Sequence, residues 1–502
     1  MNAVADTTTL LPLDASTVAK PDLPVRILQF GGGRFLRAFA DQMVQRANEA
    51  GVLHAGIAIV QATDAPDRAA SALQAQDGLY HVVLEGVRDD RPVREVTRVE
   101  CVRAVVRAHG EFDRYRELYL DPDVRVVVSN TTEAGIVWVE DDDLAARPPA
   151  SFPAKVAALL HDRFRHFDGD PAAGLAFVCC ELIEDNATTL RAYVLRHAAD
   201  AALGEDFAAW VRTACTFHDS LVDRIVPGFP RDEIDAIQAE LGFADEDVVK
   251  GELYGQWVIG GDPVIRDLLP LDRAGLPVVF LPDVRPFRDT KVRILNGQHS
   301  ALAPVGLLLG CESVGETVAR PEVAAFLDRL LRTEILPTVP GDPAAAEAFA
   351  AEIAERFTNP FLHHRLSDIM LNASSKWAAR NLPVLLDAWG AGREAPLTTF
   401  GLAAILVVLG GGGRYPAGQV IVRDDPDVLA AVRDALAADD LVVGVRRVVD
   451  VTGWFPAADD DRAERLARAV AQQVARVLEA GAATALGDLL AVPAVPTDGR
   501  VA

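Results

Sequence analysis

Lysine is the scarcest way this sequence carries charge. Only five of its 49 Lys+Arg residues are lysines, namely Lys20, Lys155, Lys250, Lys291 and Lys376. Arginine stays protonated near neutrality, whereas lysine can give up its proton. A chain that uses arginine almost everywhere keeps lysine where proton transfer is required. Cysteine is also sparse. Cys101, Cys179, Cys180, Cys215 and Cys311 form no C-x-x-C pair and no zinc-type spacing, which excludes a zinc finger and predicts reduced, cytoplasmic thiols. Positive charge is in deficit, with Asp+Glu 73 against Lys+Arg 49 and a formal net charge of -24. That argues against nucleic acid or an anionic membrane as partner. A small anionic substrate then needs a local pocket of arginine or lysine. The longest apolar run, 401–409, is too short to span a bilayer. Residues 1–20 lack a basic segment followed by an apolar core, so no secretory signal is expected.

What is present is core. Across 502 residues the hydrophobic fraction is 50%, ample for two or three domains. Residues 25–30 form an apolar run that ends at Gly31-Gly32-Gly33. From Arg34 the spacing is helical, with Phe35, Leu36, Phe39, Met43 and Val44 on one face and Gly51 at the expected end. A second strand is predicted over 56–61. Strand, glycine turn, helix and strand make a βαβ unit, whose helix N-terminus is a ready phosphate site. Gly31, Gly33, Arg34 and Phe35 are its candidate cofactor residues. Gly31 and Gly33 fit G-x-G-x-x-G, but Leu36 stands where the third glycine belongs, and the second strand ends in Gln61 rather than an acid, with Asp64 beyond it.

Residues 80–85 and 93–99 read as an antiparallel hairpin inserted in a parallel plan, followed by a helix near 111–119 and a buried strand at 124–128. That strand opens into Ser129-Asn130-Thr131-Thr132-Glu133-Ala134-Gly135. Carboxyl ends of parallel strands are where ligands sit in such sheets, so Asn130 and Thr131 are expected to face the cofactor; a polar turn capping the next element is the alternative. Further strands are predicted at 175–180 and 277–281. Beyond Pro286 the pattern is helical over 290–309, 321–336, 343–358, 365–389, 397–409, 426–438 and 461–480, interrupted by a strand-like segment at 441–449. The expected organisation is a flexible lead-in at 1–22, a Rossmann-like doubly wound α/β domain at 23–285 that binds dinucleotide, and a mainly α-helical substrate and catalytic domain at 286–502. Gly410–Gly413 follows a helix and reads as its cap and turn. Adjacent His363 and His364 point apart on a helix, so no metal is expected there.

The helical half opens with Lys291, Asn296 and His299, at offsets of five and eight residues. At 100° per residue Asn296 and His299 lie about 60° apart, and Lys291 about 80° from His299. All three can border one cleft if Lys291 sits near the helix start. Lysine would move a proton, while an amide and an imidazole polarise a carbonyl or alcohol oxygen.

Lys291-x4-Asn296-x2-His299 resembles the signature of the polyol-specific long-chain dehydrogenase family, which includes mannitol dehydrogenase and the hexuronate reductases. The likeness covers roughly residues 24–480 and is carried by 30–39, 76–80, 129–135, 180–184, 221–228, 291–299, Asn359-Pro360-Phe361 and 366–369. Within the family it is greatest to the reductases of hexuronates. The resemblance implies NAD as cofactor, no metal, and interconversion of tagaturonate and altronate, with Lys291 as acid–base and Asn296 and His299 holding the reacting oxygen. Lys376 and Arg380, in a uronate-type Ser375-Lys376 context, would bind the substrate carboxylate. Asp223 and Arg224 match positions near the cleft, as substrate groups or as a structural ion pair. Leu182 stands where mannitol dehydrogenases carry an asparagine, and Gly32 and Asp219 also depart from the usual pattern. NAD rests on the resemblance, because Arg68 could equally approach a 2′-phosphate. A fructuronate reductase or polyol dehydrogenase would use the same machinery; a nucleotide-binding sensor without catalysis would need none of the three catalytic residues.

Overall fold

The computed structural model describes residues 10–64, 68–88, 91–131, 135–227, 229–358, 364–411, 414–415, 418–419 and 423–492. Thr132, Glu133, Ala134, Gly228, Asn359, Pro360, Phe361, His363, Gly412 and Gly413 lie outside them, as does the side chain of Arg68. The chain divides into two compact units, Met1–Val284 and Arg285–Ala502.

The first unit is built on an eight-stranded sheet. Six strands run parallel in the spatial order Val102–Arg107, Gly56–Gln61, Val25–Phe30, Val126–Ser129, Ala176–Cys179 and Thr216–Asp223. Counted along the chain this order is 3-2-1-4-5-6, the doubly wound dinucleotide-binding arrangement. Gln256–Gly260 adds antiparallel to the last of them, and Val278–Leu281 pairs parallel to Gln256–Gly260. The central strands are buried along their whole length, which is why they read as continuous apolar runs. Alternate residues serve opposite faces. Ile27, Ile57 and Ile59 pack with Leu36, Phe39 and Met43, while Leu28, Phe30, Ala58 and Val60 pack with Tyr115, Phe152 and Leu160. Each buried Ile, Leu, Val, Phe or Met side chain among them contributes about 1.5–3 kcal/mol by leaving water.

The hairpin forms as Tyr80–Arg88 and Arg91–Val99, and Val249–Glu252 joins it as a parallel third strand in a separate sheet. The lead-in differs from expectation. Leu11–Pro12 pairs with Phe243–Ala244, and Leu13 and Val18 are buried against Leu79 and Phe243. Lys20 donates to the carbonyls of Asp77 and Val102, which ties residues 10–22 to the sheet edge.

The second unit is helical. Gly297–Leu308 and Pro396–Gly410 are buried on nearly every side, the signature of core helices. They approach closely, so that a Cβ on Gly401 would lie 3.4 Å from the Cα of Ala301. Around them wrap amphipathic helices such as Asp460–Ala480, which buries Leu466, Val470, Val474 and Val477. The strand expected at 441–449 is instead the helix Leu441–Thr452. Its valines suggested β structure, but Val445, Val448 and Val449 are buried at helical spacing while Val443 is exposed. Asp440 caps the first turn, accepting from the backbone N–H groups of Val442 and Val443.

Candidate functional site

In the first unit the glycine turn lies where the strand order reverses, between Val25–Phe30 and Val126–Ser129. Gly31 has φ +112°, and a Cβ there would fall 2.7 Å from the carbonyl oxygen of Asn130. Only glycine fits. Gly33 is different: its φ is -61°, and nothing lies within 4 Å of where its Cβ would be. It precedes the helical run Arg34–Leu36, Arg37–Asp41 and Gln42–Glu49 without a side-chain cap or an acid in the first turn. Uncapped N–H groups beside open space suit a pyrophosphate. Arg34 stands 6.0 Å from the ring centroid of Phe229, and Phe35 stacks on Phe39 at 5.0 Å.

Polar groups missing from the sequence-based site hold this turn. Gln29, fully buried, donates its amide to the Gly31 carbonyl at 3.2 Å. Glu181, 2% exposed, accepts from Thr131 through both N–H and hydroxyl at 2.9 Å and from the Ser129 hydroxyl at 3.1 Å. Burial raises its pKa, against the pull of those hydrogen bonds. Asn130 donates to the Cys180 carbonyl at 3.2 Å. Asn186 donates to the carbonyls of Cys179, Glu181 and Ser220, pinning the end of Ala176–Cys179 to the neighbouring strand Thr216–Asp223. A glutamate directly after the apolar run 175–180 was the available sequence signal, but its partners come from another strand.

Arg224 is 8% exposed. Its guanidinium donates to the carbonyls of Ala38 and Tyr254 and to the Gln42 side chain, and burial lowers its pKa to about 10. Those bonds tie the strand end to the helical run that follows the glycine turn. Asp223 ends Thr216–Asp223, opposite Gln256. Asp219 accepts from the backbone N–H and hydroxyl of Thr188, at the start of helix Asn186–Asp200. Leu182 is 69% exposed.

In the second unit Lys291, Asn296 and His299 share one helical run, but not as sequence spacing suggested. Lys291 is the last residue of Arg285–Lys291 rather than near a helix start. Val292–Asn296 is a π-turn, in which the Gly297 N–H donates to the Val292 carbonyl five residues back. On a straight α-helix Lys291 and Asn296 would stand about 140° apart. The wider turn brings positions five apart towards one face. His299, 9% exposed, sits with its ring centroid 4.7 Å from Phe357 and 4.9 Å from His364.

Helix Ala373–Arg380 packs beside this run. Asn381 donates to the Gly297 carbonyl at 3.1 Å, and Arg380 donates to the hydroxyl of Ser300, the residue after His299, at 3.0 Å. Lys376 lies one turn earlier on the same face, donating to the carbonyls of Ile369 at 3.0 Å and Asp368 at 3.4 Å. Burial, then the neighbouring Arg380, lowers the Lys376 pKa, and burial lowers that of Arg380. Two half-buried cations that repel each other gain by sharing an anion. Among the described residues, no three His, Cys, Asp or Glu side chains gather as a metal site, and no helix is long and apolar enough to cross a membrane.

The chain matches the mannitol dehydrogenase Rossmann domain over residues 25–272 and the mannitol dehydrogenase C-terminal domain over 283–478. It is 39% identical to an altronate oxidoreductase of Bacillus subtilis (strain 168), over 83% of this chain and 85% of that one. An altronate oxidoreductase of Yersinia pestis bv. Antiqua (strain Nepal516) is 37% identical over 91% of this chain and 95% of its own. In fold it is similar to D-sorbitol dehydrogenase in substrate-free form, with TM-score 0.78 and 23% identity over 95% of this chain and 100% of the other. It is also similar to the Pseudomonas fluorescens mannitol 2-dehydrogenase ternary complex with NAD and D-mannitol, with TM-score 0.72 and 23% identity over 96% and 97%. The chain belongs to the mannitol dehydrogenase family, an oxidoreductase carrying that family's Rossmann and C-terminal domains.

Proposed function

We propose that this protein is an NAD-dependent altronate oxidoreductase that interconverts altronate and tagaturonate. The observation that carries the reading is the pair of cations one turn apart on helix Ala373–Arg380: Arg380 donates to Ser300, and Lys376 lies within electrostatic reach of His364, whose ring is 4.9 Å from that of His299. A neutral polyol has no use for such a pair, whereas a carboxylate binds to it. Relatives named altronate oxidoreductase support the choice.

The glycine turn fits a dinucleotide, since Gly31 lets the Asn130 backbone approach and Gly33 leaves open space at an uncapped helix start. NAD, when bound, exchanges a hydride with the carbinol carbon. Asn296 and His299 hydrogen-bond the oxygen on that carbon, holding it as charge develops. Lys291 takes the hydroxyl proton in the oxidation of altronate and returns it in the reverse direction. Lys376 and Arg380 fix the far carboxylate, so the substrate enters in one orientation. The reading places the reaction in the cytoplasm, in keeping with five buried, unpaired cysteines.

The test is a spectrophotometric assay of NADH and NADPH oxidation with tagaturonate, fructuronate and fructose. Tagaturonate with NADH should give the highest kcat/KM. A higher value with fructose would return the chain to the polyol dehydrogenases, and one with fructuronate would change the hexuronate.

A further inference from the structure

We infer that His364 is a further substrate-binding residue, whose imidazole hydrogen-bonds the mid-chain hydroxyls of a polyhydroxy carboxylate between its reacting end and its carboxylate. The inference rests on the reading of Lys376 and Arg380 as the carboxylate anchor and deepens it.

Its ring stands edge-on to that of His299, 4.9 Å between centroids and 76° between planes. It also lies within electrostatic reach of Lys376, Arg356 and Asp368. His364 thus neighbours both His299, read as holding the reacting oxygen, and Lys376, read as holding the carboxylate. Its backbone is fixed at the residue itself and just after it. The Val314 N–H donates to the His364 carbonyl at 3.0 Å, Leu366 N–H donates to Glu312 at 3.0 Å, and Ser313 and Arg365 form an antiparallel bridge.

The chemistry of the position agrees. Burial, then Arg356 and Lys376, disfavour the protonated ring, opposed by Asp368. A neutral imidazole offers one donor and one acceptor, which suits a hydroxyl, itself donor and acceptor. The cations Lys376 and Arg380 suit the carboxylate. A hexuronate or aldonate presents these groups in that sequence: reacting carbon, hydroxyls, carboxylate.

The contact with His299 could alternatively be packing alone, and substitution separates the two roles. His364→Phe keeps an aromatic ring against His299 and removes both nitrogens; His364→Gln restores a donor and an acceptor and removes the ring. For altronate oxidation by the full chain, His364→Phe should raise KM about tenfold, the scale of one lost hydrogen bond. It should change kcat less and leave NADH affinity and melting temperature unchanged. His364→Gln should recover much of that KM. Wild-type KM in His364→Phe, or a larger loss in His364→Gln than in His364→Phe, would overturn the inference in favour of packing. If the wild-type protein turned over neither altronate nor tagaturonate, the underlying reading would fall and this one with it.

Discussion

Gly33→Val separates cofactor binding from folding. Gly33 has φ -61° and ψ 156°, a conformation open to any L-residue. No atom lies within 4 Å of its would-be Cβ. Restricting the unfolded chain at a former glycine stabilises by about 0.4–1 kcal/mol. Losing the preference for glycine over valine at a helix N-cap costs a similar amount, so net stability should stay within about 1 kcal/mol. A ligand phosphate meets different terms. Valine methyls at the helix start keep it from the backbone N–H groups, and each charge-assisted hydrogen bond lost is worth about 1.5–3 kcal/mol. That converts to a rise in Kd for NADH of about tenfold to a hundredfold. NADH titration by tryptophan fluorescence, with a thermal melt on the same sample, reads both quantities. A folded Gly33→Val protein with wild-type affinity would remove the glycine turn from the cofactor site. Gly31→Ala supplies the contrast: its positive φ and the Asn130 carbonyl at 2.7 Å should lower the melting temperature itself.

Three other outcomes are expected. Lys291→Ala and Lys291→Arg should lose turnover together, by about 10²–10⁴, because arginine keeps the charge but not the exchangeable proton; more than about a tenth of wild-type kcat in Lys291→Arg would rule out lysine acid–base catalysis, being less than that range. Lys376→Ala and Arg380→Ala should each raise KM for a hexuronate with little change in NADH affinity, and equal losses on a neutral ketose would make the pair structural. Asp41, buried with its pKa pushed up to about 7 from 3.8, binds a proton in the folded chain that it lacks unfolded, so wild-type stability should fall as pH rises from about 4 to about 7. Asp41→Asn removes that dependence, so its urea midpoint should gain on wild type between pH 5 and pH 8; parallel midpoints across that window would contradict the assignment.

Much of the sheet is legible because its central strands are buried on both faces and need little but apolar residues. Val25–Phe30, Gly56–Gln61, Val126–Ser129 and Ala176–Cys179 carry that signal. Thr216–Asp223 does not. Its burial alternates, and its inward positions include His218 and Ser220, whose partners come from elsewhere in the chain. His218 Nδ1 is satisfied by the Gly260 carbonyl at 2.8 Å, and the Ser220 hydroxyl donates to the Cys179 carbonyl. Polar residues satisfied by distant partners look like loop until those partners are known. Residues 441–449 failed in the opposite way, since valine favours strands locally while the helical core decided the outcome.

The site was least legible where the helix departs from 3.6 residues per turn, and the departures are not scattered at random. Arg37–Asp41 is a π-turn that follows the glycine turn after the short helical stretch Arg34–Leu36, and it carries Arg37, ion-paired with Asp247, and Asp41, which accepts from Tyr80 at 2.8 Å. Val292–Asn296 separates Lys291 from Asn296. Leu331–Ile335 carries Glu334, which accepts from Leu397 N–H at 2.8 Å and from Thr398 N–H at 2.7 Å at the start of the central helix. In each case one extra residue within the turn rotates a buried or site-bearing polar group relative to the apolar face of its helix. Angular reasoning from sequence assumes that no such residue exists, so it misplaces Lys291 against Asn296 by most of a quadrant or more. Removing a residue from 292–295 would restore α-helical bonding and leave Lys291 and Asn296 four positions, or about 40°, apart on one face. Adding a residue there would instead turn Lys291 about 100° further from Asn296; the insertion should leave a folded, cofactor-binding protein with little turnover while the deletion keeps it, and equal turnover in both would make the relative setting of the pair irrelevant to the chemistry.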